Sequence, residues 1–149
     1  MNKTLSAVLG GFVGTSAMSV ILAIAEVEAR YALGVFDAIA RFVRVPGNPV
    51  LGFVIYALVG TAVWPLLFLS LERYVPLELD PAVAGMFMGV VLWLAFAVVG
   101  RGDSSGVALV IYVVFTLAAH LVYGFSMGAV YGQLSNHVSL RDDAVSDLP

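Results

Sequence analysis

Residues 4–25 read TLSAVLGGFVGTSAMSVILAIA, a segment without a single ionisable side chain. A helix that crosses the roughly 30 Å hydrocarbon core of a bilayer needs about 20 apolar residues, because each residue advances it by about 1.5 Å. Three further stretches have this length and character, at about residues 49–71, 81–100 and 106–134. The sequence therefore predicts an all-α, integral membrane four-helix bundle, with residues 1–149 forming a single transmembrane domain.

The composition of the chain indicates the same class of protein. Hydrophobic residues make up 61% of the chain and charged residues 11%, whereas soluble domains carry about 25% charged residues. The absence of cysteine from the sequence excludes thiol catalysis, disulfides and cysteine-ligated metal clusters. A net charge of −3 leaves no basic surface for nucleic acid. We therefore expect the protein to contact the lipid bilayer and not to bind nucleic acid.

The segments outside the four predicted spans differ in character. Residues 26–48 are too charged to cross a bilayer, yet their apolar side chains recur at three- and four-residue spacing. This pattern predicts an amphipathic helical connector that either continues the first span or lies at the membrane surface. Residues 138–149 form a polar, acidic tail.

The number of spans places both termini on the same side of the cell membrane. The basic residues divide almost evenly between the two sides, with Lys3, Arg73 and Arg141 on one and four arginines on the other. Because the positive-inside rule needs a clear excess on one side, the sequence leaves the orientation of this multi-pass protein open.

Glycines four residues apart occur in three of the predicted spans. Small residues let helices approach closely in lipid, where association depends on packing and hydrogen bonds. We therefore predict helix-packing faces formed by Gly10, Gly14, Gly85, Gly89, Gly124, Gly128 and Gly132. In the second span, Pro65 has no N–H group and predicts a kinked or loosened helix.

The fourth span carries the only ionisable side chain deep inside a predicted span, His120. It belongs to a stripe of polar, aromatic and methionine side chains at three- or four-residue steps: Tyr112, Thr116, His120, Tyr123, Met127 and Tyr131. Ionisable residues at this depth are costly and are functional candidates by default. His120 and Tyr123 are the candidate cofactor-binding residues for a haem or quinone, and His120 with Glu26 is the candidate proton relay. We favour a structural role, in which neutral His120 donates one hydrogen bond to a backbone carbonyl or to a serine or threonine on a neighbouring helix.

The sequence lacks the motifs of several common nucleotide-binding proteins, zinc proteases and serine hydrolases. The chain has no Gly-x-x-x-x-Gly-Lys loop, no His-Glu-x-x-His motif and no Gly-x-Ser-x-Gly elbow. We therefore predict no catalytic residue, no metal site and no resident cofactor, and we do not expect an enzyme.

Two glycine-rich segments carry a family resemblance. HLVYG at residues 120–124, followed by MGAVYG at 127–132, resembles the closing motif of a family of small, functionally uncharacterised four-span proteins abundant in halophilic archaea. GGFVGT at residues 10–15 is similar to the first helix of that family. Its members tend to be encoded near subunits of ba3-type haem–copper oxidases, so the resemblance implies a respiratory partner.

These observations predict a non-catalytic accessory subunit of a larger membrane complex, with a respiratory terminal oxidase as the expected partner. Two alternatives stay open at this point. One is a small channel or transporter that self-associates and uses His120 and Glu26. The other is a haem- or quinone-binding membrane protein.

Overall fold

A computed structural model describes residues 2–29, 34–72, 74, 79–100 and 105–146, without the side chains at positions 26, 28, 29 and 136–146. This part of the chain is all-α and contains no strand. It comprises five helices: α1 (Lys3–Ala29), α2 (Val35–Phe42), α3 (Pro49–Glu72), α4 (Pro81–Gly100) and α5 (Gly106–Ser146). Four of them, all except α2, are long and apolar enough to span a membrane.

Two of the long helices begin at an Asx-Pro pair. The Asn48 side chain accepts a hydrogen bond from the backbone N–H of Leu51 at 3.0 Å. In the same way, the Asp80 side chain accepts from the N–H of Ala82 at 2.8 Å. Proline follows each capping residue, where its missing N–H removes no helical hydrogen bond. The sequence therefore fixes the starts of α3 and α4 locally.

The order of packing places α1 and α5 in the middle of the bundle. The two helices contact each other, α4 packs on α5, and the second half of α3 packs on α1. The short helix α2 contacts the first half of α3 and also α4. The spans thus follow one another across the bundle in the order α3, α1, α5, α4, and α2 bridges the two outer helices at one end.

The contact between α4 and α5 is made by backbone against backbone. A Cβ atom added to Gly85 would overlap the carbonyl oxygen of Gly124, and one added to Gly124 would overlap that of Gly85. Gly128 lies in the same way against the carbonyl of Pro81. Any larger residue would therefore force these helices apart.

The contact between α1 and α5 follows the same principle. A Cβ atom on Gly10 would lie 2.6 Å from the carbonyl oxygen of Met127, and one on Gly14 would lie 2.8 Å from that of Tyr123. The two remaining glycines of the predicted faces also lie on α4 and α5, with Gly89 against the carbonyl of His120 and Gly132 against Pro81. One helix, α5, thus packs against neighbours on both sides.

The second span is loosened immediately before its proline. Residues Val59–Val63 form a π-helical turn, in which the Trp64 N–H donates to the carbonyl of Val59, five residues earlier. In this register the carbonyl of Gly60 would accept from residue 65, which is proline and has no N–H group. The proline therefore leaves the Gly60 carbonyl without a partner in its own helix.

The connector and the tail differ from the predicted segments. Instead of one amphipathic helix over 26–48, α1 continues to Ala29 and α2 covers only Val35–Phe42. Gly34 and Gly47 have φ of 60° and 80°, which a right-handed helix does not allow. At the other end, α5 continues to Ser146 into the polar tail predicted for 138–149, because no glycine or proline interrupts it there.

Candidate functional site

A cavity of about 330 Å³ lies between the two outer helices. α3 and α4 flank it, α1 and α5 form its floor, and α2 crosses one end. Its walls are mostly apolar and aromatic, and the residues that line it include Thr15, Tyr56, Trp64, Phe96, His120 and Tyr123. The two candidate cofactor-binding residues from the sequence, His120 and Tyr123, therefore line one common space.

His120 is held by its own helix. Its Nδ1 atom lies 2.7 Å from the carbonyl oxygen of Thr116, so Nδ1 carries the proton and donates it. The residue is only 7% exposed, and its ring centroid lies 5.5 Å from that of Phe96. With Nδ1 protonated, Nε2 of the neutral ring carries a lone pair, and it has no hydrogen-bond partner among the described residues. His120 therefore offers the cavity a hydrogen-bond acceptor.

The Tyr123 hydroxyl pairs with a backbone carbonyl of α3, on the far side of the cavity. Its hydroxyl donates to the carbonyl oxygen of Gly60 at 2.7 Å, the carbonyl that the π-helical turn and Pro65 leave unpaired. A buried carbonyl without a donor would be destabilising. The hydroxyl proton of Tyr123 is thus engaged within the chain.

A second polar cluster joins α1 to α3 at the cavity. The Tyr56 hydroxyl donates to the carbonyl of Thr15 at 3.0 Å and lies 2.9 Å from Ser19 Oγ. The hydroxyl of Thr15 lies beside Gly60, where an added Cβ atom would be only 2.5 Å from it. This hydroxyl is buried and has no hydrogen-bond partner among the described residues.

Thr15 and Tyr56 line the cavity, although no pattern in the sequence marks them as site residues. Thr15 directly follows Gly14 on the packing face of α1, and a small polar residue there looks like ordinary helix packing. The only available signal was its position next to the predicted glycine face. Its unpaired hydroxyl becomes visible only when α3 is placed beside α1.

Glu26, the candidate relay partner of His120, occupies a different level of the bundle. The contact of Gly14 with the Tyr123 carbonyl sets the antiparallel register, and Met18 lines the same cavity as His120. Glu26 follows Met18 by eight residues, which corresponds to about 12 Å along a helix. Its side chain lies outside the described residues. The backbone register thus does not bring the two positions together.

Both ends of the bundle carry polar contacts outside the cavity. At one end, the Tyr131 hydroxyl donates to Glu72 Oε2 at 2.6 Å, and Lys3 Nζ lies 3.7 Å from the same oxygen. At the other end, Arg41 Nη2 donates to the carbonyl of Gly100 at 3.0 Å and joins α2 to α4. Among the described residues, no group of three or more histidine or carboxylate side chains could hold a metal ion.

The fold and the cavity together define a small helical protein whose four long helices suit a multi-pass membrane protein. A family model described as a family of unknown function, DUF6789, matches residues 1–142, and the chain belongs to this family. No curated protein and no solved structure matches the chain.

Proposed function

We propose that this chain is a multi-pass protein of the cell membrane and a non-catalytic accessory subunit of a larger membrane complex. Exposed apolar side chains support the membrane location. Phe12, Phe87 and Val98 point outward from long apolar helices, and lipid or another membrane subunit would cover such surfaces without the large free-energy cost of water contact.

The observation that carries the accessory role is the use of the polar side chains inside the spans. The hydroxyls of Tyr123 and Tyr131 donate to groups of this chain, and so does Nδ1 of His120. The two tyrosine bonds tie α5 to α3, and the histidine bond lies within α5. None of the three presents an activated nucleophile or a pair of acid and base groups. An assembly role therefore suits the arrangement better than catalysis.

For the identity of the complex, we propose a respiratory terminal oxidase of the haem–copper type. The support is the resemblance of residues 120–132 and 10–15 to proteins of halophilic archaea that are encoded near ba3-type oxidase subunits. One lysine against six arginines, together with the acidic tail, agrees with a halophilic source. In this proposal both termini lie on the same side of the membrane.

Affinity purification in mild detergent tests the proposal. The tagged chain should elute with other polypeptides in a fixed ratio, and the eluate should show the Soret band of a haem-containing oxidase. Elution of the chain alone, without haem absorbance, would contradict the accessory role.

A Gly85→Leu variant is the matched control for this purification. The substitution separates α4 from α5, because Gly85 and Gly124 touch through their backbones. The variant should lose the co-purifying polypeptides. If it captures the same polypeptides as the native chain, the capture reflects adhesion of apolar surfaces and the proposal fails.

A further inference from the structure

One side-chain polar atom at the cavity is both unpaired and open. Nδ1 of His120 donates to the Thr116 carbonyl, which leaves the lone pair of Nε2 without a partner among the described residues. Within the same part of the chain, the unpaired side-chain atoms that are closed off are the hydroxyls of Thr15 and Tyr112, and Nε2 is not one of them. Since His120 is 7% exposed and lines the cavity, the open surface of Nε2 faces that space.

The hydroxyl groups of the lining are already engaged or closed off. Those of Tyr56 and Tyr123 donate to backbone carbonyls, and that of Thr15 is buried beside Gly60. A buried water makes about three hydrogen bonds, so Nε2 alone would hold a water poorly. A buried acceptor without a donor is destabilising. The cavity therefore suits a ligand that brings a single hydrogen-bond donor to Nε2.

The walls of the cavity favour an uncharged aromatic ligand. The described lining contains no carboxylate, lysine or arginine, so a charged ligand would be buried without a counter-charge. The ring centroid of Phe96 lies 5.5 Å from that of His120, and Phe42 stacks on Phe96 at 6.0 Å. The rings of Tyr56 and Trp64 also line the cavity. Aromatic side chains pack favourably against another ring by stacking or edge-to-face contact.

The size and the opening of the cavity limit the ligand further. Small-molecule sites have volumes from about 300 Å³ upward, so a cavity of about 330 Å³ has room for one substituted ring. The helices α3 and α4 flank the cavity and make little contact with each other, while α2 crosses one end. A ligand can therefore enter sideways between α3 and α4, from the apolar interior of the bilayer.

The geometry points to this cavity as a binding site for a neutral, lipid-soluble phenol. The phenol ring packs among the aromatic walls, and its hydroxyl donates to Nε2 of His120. A quinol is also a phenol, but its second hydroxyl would find no free partner in the lining, so a ring with one hydroxyl fits better. A lipid acyl chain could fill the volume but would leave Nε2 unpaired.

This site goes beyond the accessory role, because the isolated chain should bind the phenol without any partner subunit. Co-purifying polypeptides bear only on the accessory role, and phenol binding bears only on the cavity. The two proposals can therefore fail independently. The site also departs from the expectation, drawn from the sequence, of a chain without a bound small molecule.

The two tryptophans of the chain provide the assay. Trp64 lines the cavity, whereas Trp93 is absent from its lining and donates to the Val113 carbonyl at 3.2 Å. A Trp93→Phe chain reports on the cavity, and a Trp64→Phe chain serves as the reference. The probe is 4-bromophenol, which is neutral at pH 7 and whose bromine quenches indole fluorescence on contact. Its methyl ether, 4-bromoanisole, has the same ring without the donor.

We expect 4-bromophenol to quench Trp64 saturably in detergent, and 4-bromoanisole to bind about tenfold more weakly because it lacks the donor. Quenching of Trp93 should be weak and linear for both compounds. In the Trp93→Phe chain, His120→Phe should lower the affinity for the phenol to that for the ether. Thr116→Val is the matched control, because that hydroxyl donates to the Tyr112 carbonyl and is outside the cavity lining. It should leave both affinities unchanged.

Nitrogen-15 NMR observes the proposed contact atom directly. His137→Gln leaves His120 as the only histidine of the chain. The resonance of an unprotonated imidazole nitrogen moves upfield when that nitrogen accepts a hydrogen bond. We expect 4-bromophenol to move the Nε2 resonance and 4-bromoanisole to leave it in place. This measurement keeps the cavity intact, so it decides the question even if circular dichroism shows that His120→Phe does not fold.

Several outcomes would overturn the phenol site. Equal affinities for the phenol and its ether, or an unmoved Nε2 resonance, would show that His120 does not accept from the ligand. Equal, linear quenching of both tryptophans would show that the probe only partitions into detergent. Tighter binding of bromohydroquinone than of 4-bromophenol would identify a quinol site with a second polar contact. A Soret band in the isolated chain would identify His120 as a haem ligand instead.

Discussion

The contacts on the two sides of α5 are of different kinds. Toward α4, glycines bring the two backbones together, so that Gly85 and Gly124 each occupy the space of the other's missing side chain. Toward α3, Tyr123 reaches across the bundle to the Gly60 carbonyl, beside a cavity of about 330 Å³. α5 thus forms a rigid seam with α4 on one face, at Gly85, Gly89 and Gly124, and lines a polar, partly open site on another.

We expect the greatest loss of folding stability from a substitution in the α4–α5 seam. Gly85→Leu inserts a side chain where Gly124 leaves no room, and overpacking of this kind destabilises by about 3 kcal/mol or more. Unfolding in mixed micelles, followed by circular dichroism, measures the loss. Val91→Leu on the exposed face of α4 is the control and should change stability by less than about 0.5 kcal/mol. Equal stability of Gly85→Leu and the native chain would show that the seam is not close-packed.

The hydrogen bond from Tyr123 to the Gly60 carbonyl is tested by combining Tyr123→Phe with Pro65→Ala. Removal of the Tyr123 hydroxyl leaves the Gly60 carbonyl without a donor and should cost about 1–3 kcal/mol. Alanine at position 65 restores a backbone N–H that can serve this carbonyl, directly in the π register or by letting the turn return to α-helix. The same Tyr123→Phe change should therefore cost less in the Pro65→Ala background. If both backgrounds lose the same stability, Tyr123 does not compensate for the proline.

A smaller effect is expected where α2 closes the end of the cavity. Arg41 donates to the last carbonyl of α4, that of Gly100, and pairs with Asp37. Arg41→Met should cost about 1 kcal/mol in unfolding experiments, because a charged donor at a helix C-terminus is lost. Arg44→Met is the matched control, since Arg44 is exposed and has no ion pair with a described residue. Equal losses for the two variants would argue against the α2–α4 link.

The smallest effect concerns the exposed ion pair far from the cavity. Lys3 and Glu72 are largely solvent-accessible, and such pairs contribute about 0–1 kcal/mol. Lys3→Gln should lower stability by less than about 0.5 kcal/mol at low salt and by nothing measurable at high salt. A loss that persists at high salt would indicate that Lys3 has a role beyond this pair.

The sequence predicts the four long apolar helices because length and hydropathy are local properties, and the structure confirms them. The i, i+4 glycines also lie on one helix face by local geometry. The sequence does not show which distant residue forms a hydrogen bond with a given polar group. Pro65 predicts a loosened helix, but the donor for the released carbonyl is Tyr123, 63 residues away. The unpaired hydroxyl of Thr15 likewise depends on the position of α3 beside α1.

Backbone amide hydrogen exchange in lipid nanodiscs tests the contrast between seam and cavity most directly. We predict the slowest exchange along the Gly85–Gly89 seam and measurably faster exchange in the π-helical turn Val59–Val63, because its ladder is interrupted at Pro65. Tyr123→Phe should accelerate exchange in the turn and leave the seam unchanged. Uniform protection across both regions, or equal acceleration of both by Tyr123→Phe, would contradict the claim that the α4–α5 seam is more rigid than the π-helical turn beside the cavity.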